Sequence, residues 1–382
     1  MIRLYERQIP HSVYIHVPFC AHRCGYCDFT LVAGRDDLVQ DYLRALELEI
    51  ETAHVPPAVP VKTIFFGGGT PTHPHPDELR RLFELVRRTF PHTPETEFSV
   101  EANPLDLTEE KLQLLQEAGV NRISLGVQSF SPQSLKLLER DHDPVQIVDV
   151  MRRLKPRFEN ISLDLIFGVP GQTLEDWRCT LRQAIDLEPA HISAYGLTFE
   201  KGTEFWTRRE RGQLQAADEE LERDQYALAM EILPQAQFHQ YEISNYARPG
   251  FECRHNQVYW SGDEYWAFGP GAARYVGGRR ETNIRSVLGW LSRIERGESP
   301  VADAEELAPD HRARELVYLG LRRIAGLQRT EFFARTGIRF DDLYRDTLKE
   351  QIQLGLVTDD GETVKLTLAG RFVADRVAME FL

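Results

Sequence analysis

The sequence places three cysteines within eight residues, in the spacing CxxxCxxC: Cys20, Cys24 and Cys27. Thiolates this close together in one loop can bind a single metal centre. A [4Fe–4S] cluster is normally held by four thiolates. Three thiolates leave one iron without a protein ligand, and a small molecule can chelate that iron. We therefore predict a [4Fe–4S] cluster with one exchangeable position.

Two alternatives use the same cysteines. A structural zinc ion takes four tetrahedral ligands, usually from two separated pairs, whereas Cys179 and Cys253 are single and distant. His16 or His22 would have to supply the fourth ligand. The three residues could also be unrelated buried cysteines. An odd total of five cysteines with three grouped together favours a metal site over disulfides.

Glycine and polar residues follow several predicted strands. The segment 67–71, Gly-Gly-Gly-Thr-Pro, follows one strand, and glycines there permit positive φ and close approach of the backbone to a ligand. A carboxylate within an apolar strand is costly unless it is paired or bound, so Asp164 is the most informative of the later residues. Its alternative role is an ion pair with Arg140 or Arg122. The polar residues in or after later strands and at a helix end are Glu101, Gln128, Arg140 and Asp164.

Alternating strand and helix patterns between residues 12 and 200 must position these side chains. They predict six βα units, and hence a parallel sheet with right-handed crossovers. Helix starts are expected at Thr108, Ser131, Asp143 and Thr173, each a capping residue. Periodicity leaves a partial or complete barrel and a doubly wound sheet as alternatives, and in all of these ligands bind where strands end. The predicted strands cover 12–17, 62–66, 97–101, 121–127, 161–167 and 191–197.

The rest of the chain is predicted to form two further parts. Residues 201–300 are a barrel-covering extension, and the acidic segment 297–309 is a linker. Residues 311–382 contain predicted helices over 312–324, 330–336, 341–354 and 369–381, and a hairpin that turns at Asp360 and Gly361, an order that resembles a winged helix. This part holds 12 Lys and Arg against 11 Asp and Glu, without the basic bias of a DNA-binding domain. We expect it to cover the open end of the barrel.

Composition excludes several classes of protein. Of the 382 residues, 42% are hydrophobic, which allows a substantial core, and the net charge of −14 argues against a general nucleic-acid binder. No apolar run approaches the roughly 20 residues of a membrane span, although peripheral membrane contact stays open. Residues 1–11 lack the apolar core of a signal peptide. We therefore expect a cytoplasmic protein.

The cysteine segment and its context resemble the radical S-adenosylmethionine (SAM) superfamily. The context is Tyr-Ile-His-Val-Pro-Phe at 14–19 and Asp-Phe at 28–29. Nearly the whole chain is similar to the oxygen-independent coproporphyrinogen III oxidase family, most specifically Leu-Asp-Leu-Ile-Phe-Gly-Val-Pro-Gly-Gln at 163–172. The resemblance implies an α/β fold, a partial (β/α)6 TIM-like barrel of the radical SAM type over 1–200 with a small C-terminal winged-helix-like domain. It also implies SAM contacts from Tyr14, Tyr26, Gly68, Gly69, Thr70, Glu101, Gln128, Arg140 and Asp164.

Two features resemble the HemW-type heme chaperones within that family. The oxidases carry a fourth cysteine at the position of Phe29 and a longer segment before the first strand. The motif HNxxYW occurs at His255, Tyr259 and Trp260. An imidazole can ligate heme iron, and Tyr and Trp can stack on a porphyrin, so these three residues are the expected heme site. The alternative is a structural histidine beside packing aromatics. Cys253 is expected to be a free buried thiol, and the alternative for it is to ligate or attach heme.

The resemblance favours a heme chaperone that binds heme, a [4Fe–4S] cluster and exchangeable SAM, and transfers heme to acceptor proteins. For the C-terminal domain, docking of a heme acceptor is the alternative to covering the open end of the barrel. The alternative function is a radical SAM enzyme of porphyrin biosynthesis, oxygen-independent coproporphyrinogen III oxidase, against which Phe29 argues. A third hypothesis is a cluster- or zinc-based sensor acting on DNA. No catalytic residue is assigned, and enzymatic activity is left open.

Overall fold

The computed structural model describes residues 9–55 and 60–382. Its centre is a nine-stranded sheet in which six parallel strands are neighbours in chain order. These strands confirm the six βα units predicted from periodicity. The residues 1–8, which make up most of the segment examined for a targeting signal, lie outside the described part. The six strands are Ser12–Val17, Thr63–Gly68, Glu97–Ala102, Arg122–Gln128, Asn160–Phe167 and His191–Gly196.

The sequential strand order decides between the two predicted architectures. A doubly wound sheet reverses its strand order at a switch point, and this one does not reverse among the six strands. Right-handed crossovers in a constant direction place all connecting helices on one face, so the other face becomes concave, as in a partial barrel. The connecting helices are Val39–Thr52, Pro76–Thr89, Glu109–Glu117, Pro132–Leu137, Pro144–Leu154 and Leu174–Asp186, with 3₁₀ turns at Asp36–Leu38 and Pro104–Asp106.

Three short strands extend this sheet beyond what periodicity indicated. Trp266–Phe268 pairs parallel with Ser12–Val17 at one edge. At the other edge Asn245–Ala247 pairs antiparallel with His191–Gly196 and with His239–Gln240. The sheet therefore stays open between these edges.

Local capping explains where the connecting helices begin. The side chains of Thr108, Ser131, Asp143 and Thr173 each accept a hydrogen bond from a backbone N–H in the first helical turn. These bonds satisfy donors that have no partner within the helix. All four predicted helix starts are confirmed.

The region after the sixth strand contains helices and a second sheet. The predicted linker at 297–309 is wrong, because Val301–Glu306 is a strand that pairs with Arg279–Asn283. Its acidic residues face basic ones across the strands, as between Arg280 and Glu305 at 2.7 Å, and such pairs favour the ladder. The helices of this region are Glu204–Glu210, Glu219–Gln235, Arg254–Ser261 and Val287–Glu295, and its second sheet also contains the strand Ala273–Val276. Earlier in the chain, between the first two long strands, Phe19–Cys20 and Val32–Ala33 form a short parallel pair.

The C-terminal part has its own hydrophobic cluster. The single terminal helix predicted over 369–381 is wrong, because it is broken at Phe372 and Val373 into Leu368–Arg371 and Ala374–Met379. The break lets the Phe372 ring pack edge-on against Tyr226 with centroids 5.6 Å apart. The other elements are helices Pro309–Leu321, Arg329–Thr336 and Phe340–Gln353, and the three-stranded sheet of Leu327–Gln328, Thr363–Leu366 and Val357–Asp359.

Among the described helices, none has both the length and the apolar character required to cross a membrane.

Candidate cluster and cofactor cavity

One cavity of about 1010 Å³ opens along the concave face of the sheet. It brings together all three cysteines of the motif and eight of the nine residues predicted to contact SAM. The ninth, Tyr14, does not line it; its hydroxyl is 3.1 Å from Nδ1 of His16, whose Nε2 is 2.7 Å from the Thr30 carbonyl oxygen. The predicted residues on the cavity wall are Cys20, Cys24, Cys27, Tyr26, Gly68, Gly69, Thr70, Glu101, Gln128, Arg140 and Asp164.

The cysteine loop is held in shape by two charged side chains. Arg23 donates hydrogen bonds to the carbonyl oxygens of residues 27, 29 and 31 at 3.0–3.3 Å. Glu139 accepts from the Gly25 backbone N–H at 2.8 Å. A Cβ at Gly25 would lie 2.7 Å from the Phe205 ring, so the loop reaches this position only with glycine. The three cysteines are therefore presented by a fixed backbone.

In the absence of metal, burial disfavours the thiolate form of two of the cysteines. Burial raises the pKa of Cys20 to about 11 and also raises that of Cys27. Iron binding must displace these protons, because the thiolate is the ligand. Arg140 Nη1 lies 3.7 Å from Cys24 Sγ, which stabilises negative charge there.

The described residues include no group of three or more His, Cys, Asp or Glu side chains spaced to hold a metal ion. The four irons of a cubane take separate ligands, so its thiolates are further apart than the ligands of one ion. The three cysteines still line one cavity.

The glycine segment lies against the cysteine loop. Gly68 has φ of 111° and its N–H donates to Glu101 Oε2 at 3.1 Å. A Cβ at Gly69 would be 2.7 Å from the Phe19 carbonyl oxygen, so both glycines are required by close packing. The Thr70 hydroxyl is 3.2 Å from Cys20 Sγ. The segment thus fixes the first cysteine and one side of the cavity.

Two carboxyl groups, those of Glu101 and Asp164, also line the cavity. Burial, followed by the charge of Asp164, raises the pKa of Glu101 to about 8. Burial also raises the pKa of Asp164. Asp164 accepts hydrogen bonds from the hydroxyls of Ser124, Ser162 and Ser193 at 2.8–3.2 Å. Its hydrogen-bond partners are therefore serines rather than the arginines of the alternative ion pair.

Those serines were missed in the sequence, although a signal for them exists. The dipeptide Ile-Ser recurs in three neighbouring strands, at 123–124, 161–162 and 192–193. In each case the isoleucine packs in the hydrophobic core and the serine points to the other face. Ser124 pairs with Ser162 in the sheet and Ser193 pairs with Asp164 itself, so a serine after isoleucine in three apolar strands indicates a shared partner, here Asp164.

A β-bulge interrupts the fourth strand near its end. The pairing register shifts between Gly126 and Gln128, and Gln128 has φ of 65°. Bulges often lie next to functional sites because they redirect a side chain. Arg140 Nη2 donates to the Gly126 carbonyl oxygen at 3.1 Å. Gln128 and Arg140 are thereby both brought to the cavity.

The predicted heme residues are placed differently. His255 is 1% exposed, and its Nδ1 and Nε2 lie 2.8 Å from the hydroxyls of Thr63 and Tyr259. Burial, followed by the charge of Arg122, lowers its pKa to about 3, so the imidazole is neutral. His255, Tyr259 and Trp260 lie outside the cavity wall, whereas Asn256 of the same helix is part of it. Cys253 is buried, and burial raises its pKa to about 12.

Comparison with known proteins shows the family. The family model for the radical SAM superfamily matches residues 14–184, and that for the HemN C-terminal domain matches residues 307–373. The heme chaperone HemW of Bacillus subtilis is 39% identical over 97% of this chain and 99% of its own. HemW of Escherichia coli is 34% identical over 98% of both chains.

A solved structure extends the likeness to three dimensions. Coproporphyrinogen III oxidase (HemN) from Escherichia coli, a radical SAM enzyme, superposes with a TM-score of 0.87 at 25% identity. The match covers 99% of this chain and 91% of that one. The chain therefore belongs to the radical SAM superfamily and, within it, to the family of HemW heme chaperones.

Proposed function

We propose that this protein binds heme in the cavity beside a [4Fe–4S] cluster and SAM, and passes the heme to acceptor proteins. The observation that carries the proposal is Phe29, whose side chain is 61% exposed and lines the cavity next to Cys27. The oxidase branch of the resembling family has a cysteine at this position. An exposed aromatic ring there offers a surface for a flat apolar ligand.

The residues on the wall suit the two cofactors that the family implies. Cys20, Cys24 and Cys27 would hold the cluster, which when bound supplies an iron that chelates SAM and can donate an electron. Arg140 balances the charge that accumulates on the thiolates. Glu101 and Asp164 would face a cationic ligand, because carboxylates attract a sulfonium or ammonium group.

His255 stays our candidate for an axial heme ligand. A neutral imidazole is the form that binds iron. Ligation would require the release of one ring nitrogen from Thr63 or Tyr259, and a movement of the helix Arg254–Ser261 toward the cavity. That movement would cost free energy, because the hydrogen bonds that now hold the ring would break.

Hemin titration of the purified full chain, with the cluster reconstituted, tests the proposal. We expect a shifted Soret band that saturates at one heme per chain. The His255→Ala variant should show a Soret position typical of a different axial ligand. A chain that leaves the hemin spectrum unchanged over micromolar concentrations would rule the function out.

An oxidase is the second candidate, favoured by the likeness to HemN along nearly the whole chain. The same anaerobic preparation with reductant, SAM and coproporphyrinogen III decides between the two. Formation of protoporphyrinogen at a catalytic rate would support the oxidase. We expect none.

A further inference from the structure

Three arginines of the C-terminal part line the cavity, and two of them, Arg322 and Arg371, are partly buried, whereas Arg376 is exposed. Arg322 directly follows the helix Pro309–Leu321, and Arg371 ends the helix Leu368–Arg371. The Nε atoms of both are buried and have no hydrogen-bond partner among the described residues. The rest of each guanidinium group is available to a ligand, because both side chains line the cavity.

Each guanidinium is anchored at one edge. Arg371 Nη1 donates to Gln240 Oε1 at 3.0 Å, and Gln240 in turn donates to the Tyr226 hydroxyl at 2.9 Å. Arg322 pairs with Asp375 and stacks on the Trp260 ring, 4.7 Å from its centroid. A guanidinium has five N–H donors in a rigid fork, so anchoring one edge leaves donors for a second partner.

Aromatic rings adjoin these arginines. Phe167 and Tyr226 are stacked with centroids 6.0 Å apart and an interplanar angle of 11°, and Phe372 contacts Tyr226 edge-on. All three line the cavity. A wall with flat apolar rings and a cationic edge matches a planar apolar ligand that carries carboxylates.

We propose that Arg322 and Arg371 bind the propionate carboxylates of the tetrapyrrole. This inference rests on the proposed function and deepens it, because it assigns the C-terminal part a role in recognising the ligand. Trp260 is then a positioning residue, because its ring stacks on Arg322 from outside the cavity. Through Trp260 the HNxxYW motif would affect heme binding without contacting the porphyrin.

The experiment compares hemin with hemin dimethyl ester, in which both carboxylates are blocked, in one detergent-containing buffer. Wild type should bind hemin more tightly than the ester. Loss of a charge-assisted hydrogen bond costs about tenfold in affinity, so Arg371→Gln should lose about tenfold for hemin and little for the ester. Arg322→Gln should behave likewise, and Trp260→Leu should show a smaller loss of the same kind.

Arg323→Gln is the matched control, since Arg323 is the neighbour of Arg322 but is not part of the cavity wall. It should keep the wild-type preference for hemin. Equal losses for hemin and ester in the arginine variants, or none in either, would overturn the inference while leaving heme binding intact. A wild type that binds neither ligand would instead overturn the proposed function and this inference with it.

Discussion

The charge state of Glu101 should control SAM affinity near neutral pH. Its pKa is about 8, raised from 4.5 by burial and by Asp164, so about one tenth of the molecules carry the carboxylate at pH 7 and about nine tenths at pH 9. A cationic ligand selects the ionised form. Its apparent affinity is proportional to that fraction, and should therefore rise about tenfold from pH 7 to pH 9.

Calorimetric titration with SAM, on reconstituted protein under nitrogen, measures this effect. The amino group of SAM has a pKa of roughly 8 itself and therefore also titrates in this pH range. The informative quantity is the SAM affinity of wild type divided by that of Glu101→Gln, because the titration of SAM affects both proteins equally. The ratio should rise about tenfold over the pH range, while Glu110→Gln, an exposed carboxyl, should follow wild type. A ratio that stays constant, or falls as pH rises, would refute the reasoning, since a falling ratio means that protonated Glu101 donates to the ligand.

Three further changes test the surroundings of the site. Gly25→Ala should lower iron content per chain severalfold, because its methyl would meet the Phe205 ring; the iron assay contradicts this if loading is unchanged. His255→Ala should lower the thermal unfolding temperature by several degrees, since it removes hydrogen bonds to Thr63 and Tyr259; an unchanged melting curve would show that the imidazole has no structural role. Burial raises the pKa of Glu49 to about 7, so its contribution to stability is complete below pH 4.5 and is lost as pH rises through 7, by about 3 kcal/mol. Urea unfolding of apo wild type against Glu49→Gln, at pH 5 and 8, should show that difference; parallel changes in both proteins would disprove it.

Several features of this protein could be predicted from the sequence because they depend on residues that are close together in the chain. The six βα units follow from periodicity, and the helix starts follow from capping residues such as Thr108 and Asp143, whose bonds reach only three positions ahead. The CxxxCxxC spacing indicates a metal loop for the same reason. Gly25 within it is explained only by the Phe205 ring, which lies 180 positions away in the sequence.

Contacts between distant segments were decided by the tertiary structure. The sequential strand order selected the partial barrel, which pattern alone left open. Because of the same packing, Tyr14 and His255 do not line the cavity, and the hydroxyl groups of three serines lie within hydrogen-bond distance of Asp164. It also broke the terminal helix at Phe372, where packing against Tyr226 outweighed local helix propensity.

The cavity itself is the clearest case. Cys20, Arg322 and Arg371 line the same cavity only because segments that are far apart in the sequence pack together. Residue types and spacing specify which groups are available for chemistry. Burial and long-range packing specify which of them meet, because both depend on the whole fold.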